Sequence, residues 1–272
     1  MKVQVMHMFE KWKTYRTFVD EVNIITKLFL GIALFIYVIF IHQFDVMIYS
    51  ALLMFIYVII FSGSKFKLVA AFIGVSIIFS LISSLFMIFY GDGTHTLYKL
   101  GIIHITEESL VRGLHLALRT ITVSFFGIAI ALTTHIVAIF YSFMQHLKVK
   151  PKVAYAFMAA FRMVPMIFTT VIQLRRALKM RYHYIHAAQY RGIKRVKHLL
   201  IPTLSQNIRR AHQLSVAMEK NGFQDGKRRT YYYHIPFTYK DLLFIVLYIA
   251  ILVAAYALAQ TFPITGITDV RG

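Results

Sequence analysis

A loop at residues 222–228 is the first place where this chain could do chemistry. Its sequence, Gly-Phe-Gln-Asp-Gly-Lys-Arg, has the two glycines and the lysine with which phosphate-binding loops hold a nucleotide. Such a loop needs four residues between its glycines, and a serine or threonine after the lysine to ligate magnesium. Here three residues intervene and Arg228 follows Lys227. The loop therefore predicts no nucleotide site, and we expect ATP hydrolysis, if the protein depends on it, to be supplied by partners.

The twelve histidines raise the alternative of a metal site. His183 and His186, at positions i and i+3, would share one face of a helix. Metal sites normally recruit further histidine, cysteine or carboxylate ligands. No acidic residue lies near this pair, and the chain has no cysteine. We interpret the two histidines as polar side chains at an interface, and we expect no metal and no cofactor.

Other arrangements of reactive residues are also missing from the sequence. No convincing nucleophile and base, or pair of carboxylates, stands at a useful spacing, so we expect a non-catalytic protein rather than a membrane-embedded enzyme. Proton-coupled transporters hold pairs of ionisable residues inside their membrane spans. In this chain Asp45 and Arg119 stand near the ends of apolar stretches instead. A secondary transporter is therefore disfavoured.

The composition requires lipid as part of the solvent. Of 272 residues, 58% are hydrophobic and 15% are charged, with a mean hydropathy of +0.64, which is more apolar surface than one water-soluble core can bury. A helix needs about 20 apolar residues to cross the hydrocarbon layer. Five stretches approach this length, at residues 24–44, 46–61, 68–89, 121–144 and 242–262. We predict an all-α, polytopic helical membrane protein.

The basic residues give these five spans an orientation, because basic loops are retained on the cytoplasmic side. Lysines and arginines precede the first span, separate the second from the third and follow the fourth, whereas the loops around Asp45 and at residues 91–108 are acidic. The N-terminus is predicted inside, without a cleaved signal peptide, and the C-terminus outside. Arg112 and Arg119 depart from the pattern, and we interpret residues 104–119 as an amphipathic approach to the fourth span.

Residues 146–240 hold most of the net charge of +19, with 19 lysines or arginines against Glu219 and Asp225. Apolar residues recur through this interval at helical spacing, which predicts two long amphipathic helices on the cytoplasmic side. The first should end at Gly192, and the second should begin at Pro202 and end at Gly222. The apolar face predicted for the second helix comprises Leu204, Ile208, Ala211, Leu214 and Met218.

Such wide apolar faces need burial against membrane or protein, which disfavours nucleic acid as the partner of the basic interval. Residues 153–174, which include Arg162 and Pro165, are predicted to lie in or dip into the cytoplasmic interface. The chain then divides into three parts. These are a transmembrane region of four spans at 1–145, a basic cytoplasmic or interfacial region at 146–240, and a transmembrane helix at 241–272.

Four sequence elements inside residues 187–229 form a specific pattern. They read Tyr190-Arg191-Gly192, then Ile201-Pro202-Thr203-Leu204, then Arg210-Ala211-His212-Gln213-Leu214-Ser215-Val216-Ala217-Met218-Glu219, then Lys220-Asn221-Gly222-Phe223. This order resembles the coupling-helix region of the T component of energy-coupling-factor (ECF) importers for vitamins and metal ions. In that family two helices end in Ala-Arg-Gly, so Tyr190 replaces the first alanine here and Lys220-Asn221 replaces the second Ala-Arg.

The resemblance implies a multi-pass transmembrane coupling subunit in the plasma membrane of a bacterium. Its partners would be two cytosolic ABC-type ATPases, a membrane S component that captures a vitamin, vitamin precursor or metal ion, and the surrounding lipid, with no nucleic acid. Substrate choice would belong to the S component. The alternative is a membrane scaffold or anionic-lipid-binding protein whose basic helices form an interfacial platform.

The resemblance also assigns the residues that would contact the ATPases. They are Tyr190, Arg191, Gly192, Lys220, Asn221 and Gly222, supported by a basic face of Arg175, Arg176, Arg209 and Arg210. Arg191 would be tethered to its own helix end while donating to carbonyls or acids of a partner. Two simpler interpretations stay open: Arg191 as a charge that complements the helix end, and Asn221 as an ordinary residue near a helix C-terminus.

Overall fold

The computed structural model describes residues 13–91, 96–100, 103–181, 193–224, 230–231, 233–267 and 270. In these residues the helices are α1 Ile24–Phe40, α2 Phe44–Phe61, α3 Phe66–Tyr90, α4 Glu107–Thr133, α5 Ile136–His146, α6 Pro151–Arg181, α7 Ile193–Lys220 and α8 Tyr239–Thr261, with a short 3-10 turn at Phe18–Glu21. Two strands, β1 Thr96–Leu100 and β2 Ile103–Thr106, pair antiparallel between α3 and α4. The predicted all-α membrane fold is confirmed.

Five of the helices, α2, α3, α4, α6 and α8, are long and apolar enough to cross a membrane. These are not the five predicted spans. The predicted first span at 24–44 is the shorter helix α1, of 17 residues, and α6, predicted to lie in the interface, is among the five instead. Helix α5 has 11 residues. The chain divides into two compact units, unit one of Met1–His135 with Ile235–Gly272 and unit two of Ile136–His234.

Unit one holds a buried apolar core built from α1, α2, α4 and α8. Leu34, Met47 and Met54 lie fully inside it, and the rings of Phe126 and Tyr248 pack with their centroids 5.1 Å apart. Core residues recur every four positions along α1, at Leu30, Leu34 and Val38, so this helix presents one stripe to the others.

Helices α3 and α4 of unit one are joined by a ladder of serines. Ser80 Oγ donates to Ala117 O and Ser84 Oγ donates to Gly113 O, both at 2.7 Å, and Ser109 Oγ donates to the carbonyl of Ile88 at 3.1 Å. A Cβ atom on residue 113 would clash with Ile88. Glycine and serine thus allow the two backbones to approach closely and bond across the interface.

Buried polar groups fasten the ends of α1 and α8 in unit one. Asp241 Oδ1 accepts from the backbone N–H of Asn23 at 2.8 Å and from Thr26 Oγ1 at 3.1 Å. The ammonium of Lys27, 1% exposed, donates to Thr133 O at 3.1 Å and to Thr133 Oγ1 at 3.2 Å. A cation at the carboxyl end of a helix is favourable, so Lys27 caps α4.

At the opposite end of α1, residues 262–267 and Val270 lie over the α1–α2 turn. Asp45, at the start of α2, accepts from Thr265 N at 2.9 Å, from Thr265 Oγ1 at 2.6 Å and from Gly266 N at 3.1 Å. The N–H of Val270 donates to the carbonyl of His42 at 3.2 Å. This segment is therefore fixed to unit one by hydrogen bonds.

In unit two, α5, α6 and α7 pack through aromatic side chains with little complete burial. Phe140 of α5 stacks on Phe157 of α6 with centroids 5.8 Å apart. Among the described residues of this unit, Met144 and Ala154 are its buried hydrophobic side chains.

The structure corrects the predicted fourth span of 121–144. Helix α4 begins at Glu107 and ends at Thr133, and a separate helix, α5, begins at Ile136. Residues 107–119, predicted to be an amphipathic approach to the span, are the first turns of α4 itself. The cause at the amino end is a reciprocal cap: Thr106 Oγ1 accepts from Ser109 N, and Ser109 Oγ accepts from Thr106 N. At the carboxyl end Lys27 terminates the helix.

Two further boundaries differ from the sequence prediction. Pro202, expected at the start of a helix, lies inside α7. Its ring is on an exposed side, where the missing N–H leaves no buried carbonyl to satisfy. Residues 153–174 lie inside α6, one continuous helix of 31 residues that also contains Pro165. The interfacial dip predicted for them stays a prediction.

Candidate functional site

Helix α7 and the turn after it, residues 193–224, are the described part of the predicted coupling region at 187–229. One side of α7 lies against α6, and Leu199, Thr203, Asn207, Arg210 and Leu214, spaced by three or four residues, are its half-buried or buried members. Arg210 Nη1 donates to Thr170 Oγ1 at 3.3 Å. The carboxyl end of α7 lies beside the amino-terminal part of α6, so the two helices run antiparallel.

The predicted apolar face of α7 shares only Leu214 with this packed side. Leu204 and Ile208 are 57% and 69% exposed, Ala211 is exposed, and Leu214 and Met218 are half-buried. Leu200 and Ile201 extend the uncovered surface toward the amino end of the helix. Helix α7 therefore offers an apolar stripe that no described part of this chain covers.

Gly222 ends α7 as the sequence predicts. Its φ is +78°, in the left-handed region that favours glycine. The N–H of Gly222 donates to Glu219 O at 2.9 Å, and the N–H of Phe223 donates to Met218 O at 3.0 Å. These two bonds form a Schellman cap, which satisfies carbonyls that a helix end otherwise leaves unpaired. The tip is thereby a defined turn.

The residues at this tip are exposed. Lys220, Asn221 and Gly222 are all exposed, and no atom would obstruct a Cβ on Gly222 within 4 Å. Asn221 Nδ2 donates to the carbonyl of Ala217 at 2.8 Å. The amide of Asn221 thus caps its own helix and keeps Oδ1 as an acceptor. Lys220 adds a cation at the negative end of the helix dipole.

An aromatic chain anchors the tip to the rest of unit two. Phe223 meets the ring of Tyr155 edge-on, with centroids 5.8 Å apart. Tyr155 meets Tyr141 of α5 at 6.4 Å, and Tyr141 meets Tyr233 at 5.4 Å. Sequence reasoning missed this anchor, because aromatic residues far apart in the chain carry no periodic signal.

Some of the remaining predicted contact residues are exposed, and others lie outside the described residues. Arg175 and Arg176 on α6 and Arg209 on α7 are exposed, whereas Arg210 is half-buried in its bond to Thr170. Tyr190, Arg191 and Gly192 lie outside the described residues, as do His183, His186, Lys227 and Arg228. Their predicted roles stay predictions.

Within the described ranges no three His, Asp or Glu side chains are grouped as metal ligands. Between α4 and α5, outside the spans, burial lowers the pKa of His135 below its usual value, and the charge of Lys13 acts in the same direction. Its imidazole is therefore neutral at pH 7.

Known proteins are similar to this chain over most of its length. The family model described as cobalt transport protein, CbiQ, matches residues 16–232. The energy-coupling factor transporter transmembrane protein EcfT of Streptococcus equi subsp. equi (strain 4047) is 26% identical over 246 residues, which is 86% of this chain and 91% of that protein.

Two further relatives carry the same description. The EcfT protein of Lactococcus lactis subsp. cremoris (strain MG1363) is 27% identical over 174 residues, or 61% of this chain and 65% of that protein. That of Macrococcus caseolyticus (strain JCSC5402) is 29% identical over 195 residues, or 68% of this chain and 74% of that protein. The match thus extends well beyond α7.

Proposed function

Because this chain belongs to the CbiQ family, as the multi-pass transmembrane component of a bacterial ECF transporter, we propose that it couples two cytosolic ABC-type ATPases to a substrate-binding S component. The chain itself is non-catalytic in this proposal, and the partners hydrolyse ATP. The S component selects the cargo, a vitamin, vitamin precursor or metal ion. The observation that carries the proposal is the Schellman-capped tip of α7 at Gly222.

The tip has the properties that a contact with an ATPase requires. A capped turn keeps its shape when a partner binds, so little conformational entropy is lost on docking. The exposed Lys220, Asn221 Oδ1 and tip carbonyls offer both hydrogen-bond donors and acceptors. The first motif, with Arg191, supplies a second tip in the proposal, and its arginine can donate to carbonyls or acids of the second ATPase.

Displacement of the tip is transmitted along α7. The helix has 28 residues and is therefore about 42 Å long at a rise of 1.5 Å per residue. Phe223 rests on Tyr155 near the start of α6, so a displacement of the tip acts on α6 and α7 together. Closing of the ATPase dimer would thus move a helix pair rather than one loop.

The charge of α6 and α7 supports an acidic partner surface. Arg175, Arg176 and Arg209 are exposed on these helices, and charged side chains on an interface accelerate and orient association with a surface of opposite charge. The uncovered apolar stripe at Leu200, Leu204 and Ile208 is assigned to a different contact, with the S component or the lipid around it.

Comparison of two glycine variants tests the role of the tip. Gly222 and Gly266 both have positive φ, at +78° and +68°, and both face open space. Gly222→Ala and Gly266→Ala therefore impose similar backbone strain, of roughly 1–2 kcal/mol. In vesicles reconstituted with the S component and both ATPases, we expect Gly222→Ala to reduce ATP-driven uptake several-fold more than Gly266→Ala. Equal uptake by the two variants would contradict the proposal.

Co-purification tests the partners themselves. Both ATPases should be recovered with the tagged parent chain, and the Arg175→Glu/Arg176→Glu variant should recover less of them. The loss should be larger at low salt, because screening of the repulsion is then weakest. Assembly that is independent of salt in both proteins would mean that the interface is apolar.

A lipid-binding scaffold is the second candidate, and the uncovered stripe beside basic residues on α7 favours it. In that case neither ATPase would be recovered with the chain. Binding of the purified chain to vesicles would instead depend on their content of anionic lipid.

A further inference from the structure

Two arginines on α4 have no part in the proposed coupling. Arg112 and Arg119 share one helix face with His115, at spacings of three and four residues. In the topology predicted from the sequence this end of α4 lies on the outer side, where arginine is under-represented in short loops. Their position therefore calls for another explanation.

Both arginines line a cavity of about 400 Å³ inside unit one. Its other walls include His42, His115, Met87 and Leu116. Since one molecule of liquid water occupies about 30 Å³, the cavity has room for a ligand the size of a phosphate group. It lies where Arg119 Nη2 donates to the carbonyl of Ile41, at 3.2 Å, next to the α1–α2 turn.

Two imidazole nitrogens at this cavity have no hydrogen-bond partner among the described residues. His115 is 5% exposed, its ring lies against Phe44, and its Nε2 has no partner among the described residues. Nε2 of His42, which is half-buried, likewise has none there. Buried polar side chains are nearly always hydrogen-bonded, so two such atoms beside one cavity point to a ligand that pairs with both.

The arginines decide the sign of that ligand. Two fixed guanidinium charges repel a metal cation and attract an anion. Arg112 Nε donates to Val270 O at 3.3 Å, and the bond from Arg119 to Ile41 likewise holds its guanidinium at the wall. An imidazole that carries its proton on the cavity side can donate to the same anion. Oxyanions with several acceptor atoms, such as phosphate, fit this set of donors.

We propose that this cavity binds a phosphate-type oxyanion, either free inorganic phosphate or the phosphodiester of a phospholipid headgroup. Arg112 and Arg119 supply the charge, and His115 and His42 supply imidazole N–H donors. From Arg119 back to Glu107 helix α4 extends 12 residues, about 18 Å, beyond the level of the α1–α2 turn. The cavity is therefore recessed beside α3 and α4, where a headgroup or a small ion could reach it.

The test uses the full chain, purified in detergent and depleted of lipid. Native mass spectrometry measures retention of phosphatidylglycerol, with diacylglycerol as a matched lipid that lacks phosphate. Thermal unfolding is followed in sodium phosphate and in sodium chloride of equal ionic strength at pH 7.5. We expect the parent to bind phosphatidylglycerol, or to gain several degrees in Tm from phosphate, and Arg112→Gln/Arg119→Gln to bind at least tenfold more weakly. Arg162→Gln, which removes an exposed arginine of α6, is the matched control.

The mass-spectrometry and thermal-unfolding measurements distinguish a lipid headgroup from free phosphate as the ligand. Retention of phosphatidylglycerol without a phosphate effect on Tm identifies a lipid headgroup, and a phosphate effect identifies the free ion. His115→Phe keeps a ring against Phe44 but removes the donor, so it should weaken binding several-fold without lowering the Tm of the ligand-free protein. Absence of binding in both arms, or equal weakening in Arg162→Gln, would overturn the proposal.

Discussion

The two units of this chain differ in what covers their apolar side chains. In unit one, half of the 18 residues of α2 are buried. In unit two, none of the residues in an apolar 18-residue stretch of α6 are buried. Phe168 on α6 is 72% exposed. Unit one therefore specifies its own packing, and unit two depends for its cover on lipid or on other subunits of the transporter.

The polar groups of the two units also differ in whether they are buried with partners or exposed. Unit one buries Lys27, Asp45 and Asp241 and satisfies each of them with partners from its own residues. Unit two instead exposes Arg175, Arg176 and Arg209. A subunit with one self-contained part and one incomplete part can keep its fold while its contacts change during a transport cycle.

The largest expected effect is all-or-none and concerns the side of the membrane. The chain lacks cysteine, so single cysteines introduced at Thr94 and Ser205 are unique labelling sites. We expect an impermeant maleimide to label them from opposite sides of oriented vesicles, because the basic interval is predicted to be cytoplasmic. If both sites react from the same side, the five-span topology is wrong.

Core truncation should separate the two units in stability. Leu34 is 0% exposed in unit one, and Ile208 is 69% exposed in unit two. Leu34→Ala should lower the free energy of unfolding by about 2–4 kcal/mol, because it leaves a cavity. Ile208→Ala should change it by less than about 0.5 kcal/mol. Equilibrium unfolding in mixed micelles measures both values, and similar losses in the two variants would abolish the proposed distinction.

Arg191→Ala should impair transport far more than assembly. Loss of one charge-assisted contact of about 1.5–3 kcal/mol would reduce uptake in reconstituted vesicles by roughly tenfold or more. The remaining surface of the helices should still retain both ATPases in pull-downs. Lys197→Ala, at an exposed position of α7, is the control. Uptake equal to that of the parent, at matched amounts of complex, would leave Arg191 only its charge interaction with the helix end.

The smallest effect is expected for Asn221→Ala. The variant loses the bond from Asn221 Nδ2 to Ala217 O, and Asn207→Ala loses an equivalent bond to Thr203 O in the middle of the same helix. Each should cost about 0.5–1 kcal/mol of stability. Uptake should fall about twofold in Asn221→Ala and less in Asn207→Ala, because Asn221 alone of the two lies at the tip. An equal fall in uptake in both variants would mean that Asn221 acts only as a helix cap.

Local signals account for what can be predicted correctly from the sequence. Long apolar runs indicate membrane helices because the bilayer fixes their length. Gly222 is recognisable as a helix end because the left-handed turn there needs a residue without a side chain. The coupling motif around it is found through its resemblance to a family, since nothing in its composition specifies a contact with an ATPase.

Long-range contacts account for what the sequence does not reveal. The end of α4 at Thr133 depends on Lys27, 106 residues earlier in the chain. The packed side of α7 is set by Thr203, Asn207 and Arg210 rather than by its apolar stripe, because α6 takes the polar side. The sequence correctly indicates that the stripe needs cover, but that cover lies outside the described parts of this chain.

The serine ladder between α3 and α4 has a consequence for biogenesis. Ser80, Ser84 and Ser109 bond across two helices that are consecutive in the chain, and hydrogen bonds of this kind form in lipid without help from the hydrophobic effect. The pair can therefore assemble as a hairpin before the ribosome has synthesised α8. Helix α8, whose Asp241 bonds to the start of α1, arrives last. Insertion of this subunit into the membrane thus proceeds from a hairpin formed early to a bundle closed by its final helix.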